Sequence, residues 1–250
     1  MTGKAGAPTA PASNQLVVPV LGSGAMFDRI AARYDAMNRV LSLGLDRGWR
    51  RRTVRALQLG AQPRVLDLAT GTGDLAIDIA CMHPGAHVIG LDPSPRMLAI
   101  AEAKLARRGL SRRVTLVRGD AQQLPYANCE MDAATIAFGI RNVPDRPAAL
   151  REMARVVRPG GRIAVLELGE PAGGVLGRVA RFHCRHVVPR LGALLSGARE
   201  YRYLQRSIAA FPPSAEFVQM MDDAGLHVID AAPLTFGVCT LYVATPAEES

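Results

Sequence analysis

The sequence predicts an α/β fold, a single doubly wound sheet with helices on both faces, and three observations carry that reading. Five short runs, 65–69, 88–91, 114–117, 133–138 and 163–166, are predominantly apolar rather than alternating, as strands buried on both faces require. Helical periodicity fills the intervals at 75–82, 95–107 and 147–157. Parallel neighbours need crossovers of that length, and right-handed βαβ units supply them.

Taken in order, residues 1–24 are rich in Ala, Pro, Gly and Ser and show neither period, so they read as a flexible tail outside the fold. From 25 to 59 apolar residues recur at three- and four-residue steps through Phe27, Ile30, Tyr34, Met37 and Leu41, and Gly44 separates a second run through Trp49, Val54 and Leu57. Two helices therefore precede the first strand. The later helices open on Asp74, Ser94 and Asp145, residues suited to cap a helix N-terminus. A last helix is expected at 214–224. Beyond it the runs 227–231 and 236–243 are separated by too few residues for a crossover, which implies a closing antiparallel hairpin. The domain is thus 25–250, with one change of composition inside it at 171–206.

Composition bounds the function without choosing it. The chain of 250 residues is 49% hydrophobic and carries a net charge of +8, which suits nucleic acid, anionic lipid or an acidic ligand. Lys4 and Lys104 are its lysines; the other basic residues are arginines, which fork onto carboxylates and phosphates. Cys81, Cys129, Cys184 and Cys239 form no Cys-x-x-Cys pair, so a zinc knuckle or redox motif is not expected and a reducing compartment fits. Neither a signal peptide nor a run of about 18 apolar residues is legible.

The first strand runs into Asp67-Leu-Ala-Thr-Gly71-Thr72-Gly73-Asp74. Gly71-x-Gly73-x-x-Ala76 also satisfies a loose dinucleotide fingerprint. An acid at the start of the following helix disfavours a pyrophosphate there, because bare amides and the helix dipole would otherwise attract it. S-adenosylmethionine, which carries a sulfonium and an ammonium and no phosphate, suits Asp67 and Asp74 better; the bland alternative for Asp74 is a simple N-cap. The second strand ends on Asp92, placed to accept ribose hydroxyls, and the third on Gly119-Asp120-Ala121, where Asp120 can accept from an adenine amino group while Ala121 leaves room for the ring. Acids at three successive strand ends beside one crevice point to a cofactor site.

These stretches, with Arg158-Pro-Gly-Gly-Arg162, resemble a class I S-adenosylmethionine-dependent methyltransferase. Three others are similar to the menaquinone and ubiquinone C-methyltransferase family: Met26 to Asn38, Thr135-Ile-Ala-Phe-Gly-Ile-Arg141-Asn142-Val-Pro-Asp145, and Tyr201-Arg202-Tyr203-Leu-Gln-Arg-Ser207. The resemblance spans 26–245, and generic methyltransferases share the glycine loop but lack the Phe-Gly-Ile-Arg-Asn run. It implies a Rossmann-like methyltransferase sheet of order 3-2-1-4-5-7-6 with strand seven antiparallel. It implies cofactor contacts at Asp67, Gly71, Thr72, Gly73, Asp92, Met97, Asp120 and Ala121, and at Ala137, where a polar residue common in the family is missing. Substrate contacts carry over to Tyr34, Asn38, Arg141, Arg202 and Tyr203.

A ring carbon accepts a methyl group only when a neighbouring phenol has lost its proton, which calls for a base and for positive charge near the phenolate. The expectation is that Arg141 stabilises the phenolate, with proton removal through a water held by Arg141, Asn142 and Tyr34 and received by Asp120; the alternative is that Arg141 pairs with Asp145 across a turn. No metal is expected: His183 and His186 lie among arginines without a carboxylate.

Between 171 and 206 seven arginines face one acid, Glu200, with Val175, Val179 and Phe182 beside Arg178, Arg181 and Arg185. That suits a segment lying on an anionic bilayer, through 175–206, or an amphipathic cover on the sheet. The resemblance then implies a polyprenyl quinol acceptor, demethylmenaquinol ahead of a methoxy-polyprenyl-benzoquinol, and a cytoplasmic protein peripheral at the inner face of the cytoplasmic membrane. It leaves a homodimer open. Rival readings are methylation of another aromatic small molecule, RNA methylation, for which no RNA-binding module is legible, a nicotinamide oxidoreductase, and a cofactor-binding scaffold.

Overall fold

The computed structural model describes residues 42–169 and 198–247 together with Ala31, Asp35 and Arg39, and only the backbone of 198–202. The tail 1–24 and most of the insertion 171–206 lie outside the described residues, as do Tyr34 and Asn38. Seven strands form one sheet: β1 (Arg64–Leu68), β2 (His87–Asp92), β3 (Val114–Arg118), β4 (Met131–Ala137), β5 (Val157–Leu168), β6 (Leu226–Leu234) and β7 (Cys239–Pro246). Their order is β3-β2-β1-β4-β5-β7-β6. β7 runs antiparallel to both β5 and β6, and the other pairings are parallel. Order and orientation are those the family resemblance implied.

The described helices are α1 (Asp46–Ala56), α2 (Asp74–Met82), α3 (Pro95–Arg107), α4 (Arg146–Val156), α5 (Ala198–Ala209) and α6 (Ser214–Asp223). Ser94 and Asp145 cap α3 and α4 as expected, their side chains accepting from the amides of Met97 and Ala148. Asp74 does not cap α2. Gly73 does, at φ 80°, a left-handed turn natural to glycine, and a Cβ there would lie 3.0 Å from the Cβ of Ala101 on α3. The hairpin also opens later than its apolar run suggested, because Thr235–Gly237 forms a 3-10 turn before β7 begins.

Period-2 geometry sorts each strand between two cores. Val65, Ala133, Ala164 and Leu166 pack with Trp49, Val54, Ile79 and Leu105 under α1, α2 and α3. Leu66, Leu68, Ile136 and Val165 pack with Leu150, Met153, Phe217 and Met221 under α4 and α6. Register follows burial: a one-residue slip of β1 would turn Leu66 and Leu68 onto the opposite face. Phe217 anchors the second core, fully buried with its ring 4.8 Å from Phe211 and 4.9 Å from Tyr242. Truncation to Phe217→Ala is expected to cost about 3–5 kcal/mol, read as a fall in the urea midpoint with an unchanged slope.

Candidate functional site

The cleft opens at the C-terminal ends of β1 and β4, where the glycine loop leaves β1 and the chain after β4 turns back. Asp67, Ala69, Thr70, Gly71, Thr72, Asp74, Ala137 and Phe138 line it from the sheet side, and Asp46 and Arg50 of α1 and Asp35 from the other.

Asp67 sits at its base, 1% exposed. Its oxygens accept from Thr70 Oγ1 at 2.6 Å and Thr135 Oγ1 at 2.8 Å, and the Ala76 amide of α2 also bonds to it. Burial pushes this carboxyl up to about 6, with Asp92 adding to the rise and the two hydroxyls opposing it. Asp67 is therefore buried, near like charge and, among the described residues, in no ion pair. A cation arriving beside it would be stabilised and a phosphate repelled. That donor set fits the positive end of S-adenosylmethionine.

Asp92, 7% exposed, ties the loop down: Oδ2 accepts from the Gly71 amide at 2.8 Å and Oδ1 from the Ser94 amide at 2.8 Å. Asp120 accepts from the Gln122 amide and side chain at 2.9 Å, and Gln122 Oε1 accepts from the Asp145 amide, which links the end of β3 to the start of α4. Met97 and Ala121 are buried below these turns, and neither they nor Asp120 are among the cleft-lining residues named above.

A network that the sequence did not announce closes the loop from outside. Lys104 Nζ bonds to Asp74, to Asp35 at 2.8 Å and to Thr72 Oγ1 at 3.2 Å, while Thr72 Oγ1 donates to Asp35 Oδ1 at 2.6 Å. Arg50 contacts Asp46 at 2.7 Å, Asp74 at 3.4 Å and Asp78 at 3.1 Å. Desolvation works against ionising Asp74, but Lys104 and Arg50 outweigh it and hold its carboxyl below the usual range. The acid expected to turn the start of α2 against a pyrophosphate and toward a cation is thus charge-balanced, so the bias of the cleft toward cations rests on Asp67.

After β4 the chain turns at Phe138, φ 56°, and Gly139, where a Cβ would lie 2.6 Å from that of Ala69; only glycine lets this turn close on the glycine loop. Arg141 differs from expectation. It is 7% exposed, with Nη1 2.6 Å from Glu167 Oε1 and 2.5 Å from the Phe138 carbonyl, and its amide donates to Glu167 Oε2 at 3.2 Å. Asp145 serves as the α4 cap. The charge of Arg141 is answered inside the protein by Glu167, itself 1% exposed, a residue the sequence reading passed over because it lies one position beyond the apolar run 163–166. Next to it Asn142 Oδ1 accepts from the Tyr203 hydroxyl at 3.1 Å, joining two motif stretches 61 residues apart. The Arg202 side chain lies outside the described residues, and among those residues no group of His, Cys, Asp and Glu could hold a metal.

A family model described as the ubiE/COQ5 methyltransferase family matches residues 21–246. The chain is 48% identical over 217 residues to a protein of Syntrophotalea carbinolica named ubiquinone/menaquinone biosynthesis C-methyltransferase, covering 87% of this chain and 91% of that one. It is also 48% identical over 219 residues to a Thermus thermophilus protein named demethylmenaquinone methyltransferase, covering 87% and 98%. Among solved structures, a putative methyltransferase in complex with the Trm112 activator of Haloferax volcanii is similar in fold, with TM-score 0.65 at 20% identity over 89% of this chain and 98% of that one.

The raised Asp67 carboxyl has a measurable consequence. Between about pH 4 and 6 the folded chain keeps a proton that the unfolded chain has released, so this group makes stability fall as pH rises, by at most about 1.4 kcal/mol per pH unit. Urea melts of the wild type and of Asp67→Asn across this range should differ by an amount that declines with pH and levels above about 6. A difference independent of pH would return the group to an ordinary carboxylate.

Proposed function

The chain belongs to the ubiE/COQ5 methyltransferase family and is an S-adenosylmethionine-dependent methyltransferase, and on that footing we propose that it methylates a ring carbon of a polyprenyl quinol, demethylmenaquinol before a methoxy-polyprenyl-benzoquinol. The observation that carries the acceptor half of this reading is the Asn142–Tyr203 hydrogen bond. It brings together, at the end of β4, the two stretches that set this chain apart from methyltransferases sharing only the glycine loop.

S-adenosylmethionine supplies an electrophilic methyl group. Asp67 would face its cationic end, Gly71, Thr72 and Gly73 would let the backbone approach it, and Asp92 would take the ribose hydroxyls. Met97, Asp120, Ala121 and Ala137 would bound the adenine and the methyl-bearing centre. On the acceptor side, Asn142 and Tyr203, with Tyr34, Asn38 and Arg202, would hold the ring hydroxyls and a water that carries the phenolic proton toward Asp120. Since Glu167 balances its charge, Arg141 acts as a positioning residue that locks the turn presenting Asn142. Alignment and exclusion of water supply most of the acceleration in such an in-line displacement. The basic stretch 175–206 would meet the inner face of the cytoplasmic membrane. No helix among the described residues is long and apolar enough to cross one.

Methyl transfer to a short-chain demethylmenaquinol is expected to exceed transfer to the corresponding methoxybenzoquinol, and the reverse order would move the assignment to ubiquinone chemistry. Asn142→Ala and Tyr203→Phe should lower kcat about 10- to 100-fold while calorimetric affinity for S-adenosylmethionine stays near wild type. Arg141→Ala should lower kcat and shift its pH profile. Unchanged turnover in all three would remove the acceptor site from the end of β4.

A further inference from the structure

The inner face of α1 lines the cleft through Asp46 and Arg50; its outer face has no part in the site. Arg47, Arg51, Arg52 and Arg55 are all exposed there, and Asp46, the one acid of the helix, is buried against Arg50. Just ahead of the helix Leu43 and Leu45 are 67% and 44% exposed. One turn after Leu45, whose carbonyl accepts its amide, Trp49 donates from Nε1 to Thr235 Oγ1 at 2.9 Å, which brings Phe236, 52% exposed, to the same edge of α1. Leu43, Thr235 and Phe236 hold left-handed φ angles of 53°, 45° and 59°, a region that non-glycine residues seldom occupy. Large apolar side chains are thus turned to solvent on unfavourable backbone, beside four arginines without a nearby exposed acid on their own helix.

We propose that the outer face of α1, with Leu43, Leu45 and Phe236, docks this protein on an anionic bilayer. Arginine guanidinium groups complement headgroup phosphates, and three apolar side chains fit the boundary between headgroups and acyl chains. Exposed leucines beside the arginines favour lipid, since the single ring of Phe236 does not make the platform of several stacked aromatics that grips single-stranded nucleic acid. The residues of this surface are distinct in sequence from the stretch 175–206. Its use rests on the proposed function only in that a quinol dissolved in the same bilayer would meet a cleft lined by the opposite face of the docked helix.

Co-sedimentation of the full chain with phosphatidylglycerol-containing vesicles, against pure phosphatidylcholine vesicles, tests this. The wild type should bind the anionic vesicles selectively. The triple variant Arg47→Gln, Arg52→Gln, Arg55→Gln should weaken that binding at least about tenfold, and Leu45→Ser with Phe236→Ser should weaken it severalfold, with wild-type circular dichroism and wild-type methyl transfer to a short-chain acceptor. Binding unaffected by either variant, binding lost only with Arg178→Gln, Arg181→Gln and Arg185→Gln, or tighter binding of an oligoribonucleotide at the same salt would each overturn the assignment. A wild type that binds vesicles but methylates no quinol would refute the proposed reaction and leave the surface standing.

Discussion

The cleft depends on one buried carboxylate. Asp67 stands on the face of β1 that looks toward α2, and it gathers the hydroxyl of Thr135 from β4, the hydroxyl of Thr70 from the glycine loop and an amide from the first turn of α2. Three elements therefore converge on one side chain of a fourth. Burying a carboxylate is unfavourable unless its lone pairs are satisfied, and here three donors satisfy them without cancelling its charge. Two neutral hydroxyls fix the geometry of the loop; a basic partner in their place would have fixed it equally well and left no electrostatic reason for a cation to enter.

Around that centre the remaining charges are arranged so as not to compete. Arg50 and Lys104 lie on the outer side of the loop and are taken up by Asp46, Asp74, Asp78 and Asp35, and Arg141 is taken up by Glu167. The turn after β4 is positioned by the last of these pairs and by the close approach of Gly139 to Ala69. Loop and turn thus share a contact, so the two halves of the cleft are spaced by packing as well as by hydrogen bonds.

The fold was legible because its signals are local. Short, predominantly apolar runs marked the strands, Ser94 and Asp145 marked two helix starts, and the short interval before β7 marked the hairpin. Asp74 misled, since an acid following Gly-Thr-Gly looks like a cap, whereas the left-handed Gly73 takes that place. The glycine loop and the acids at the strand ends were equally readable from residue type and spacing. The pairings were not: Glu167 with Arg141 spans 26 residues, and Lys104 with Asp35 spans 69. Such contacts depend on how crossovers bring strand ends together, and neither periodicity nor a short motif encodes them. Glu167 is the instructive miss, because a lone acid at the buried end of a strand, directly after an apolar run, is a signal that a buried partner must exist.

Lys104 gives the composition a different meaning. In a chain whose lysines and arginines are otherwise all arginine except for Lys4, an ammonium is retained at the point where the side chains of Asp35, Asp74 and Thr72 meet. A planar guanidinium presents its donors in one plane and suits a flat carboxylate; a tetrahedral ammonium suits acceptors that surround it. The rarity of lysine here thus acts as a label. Against an arginine-rich background, the residue type alone singles out a position whose coordination shape, rather than its charge, selects the side chain.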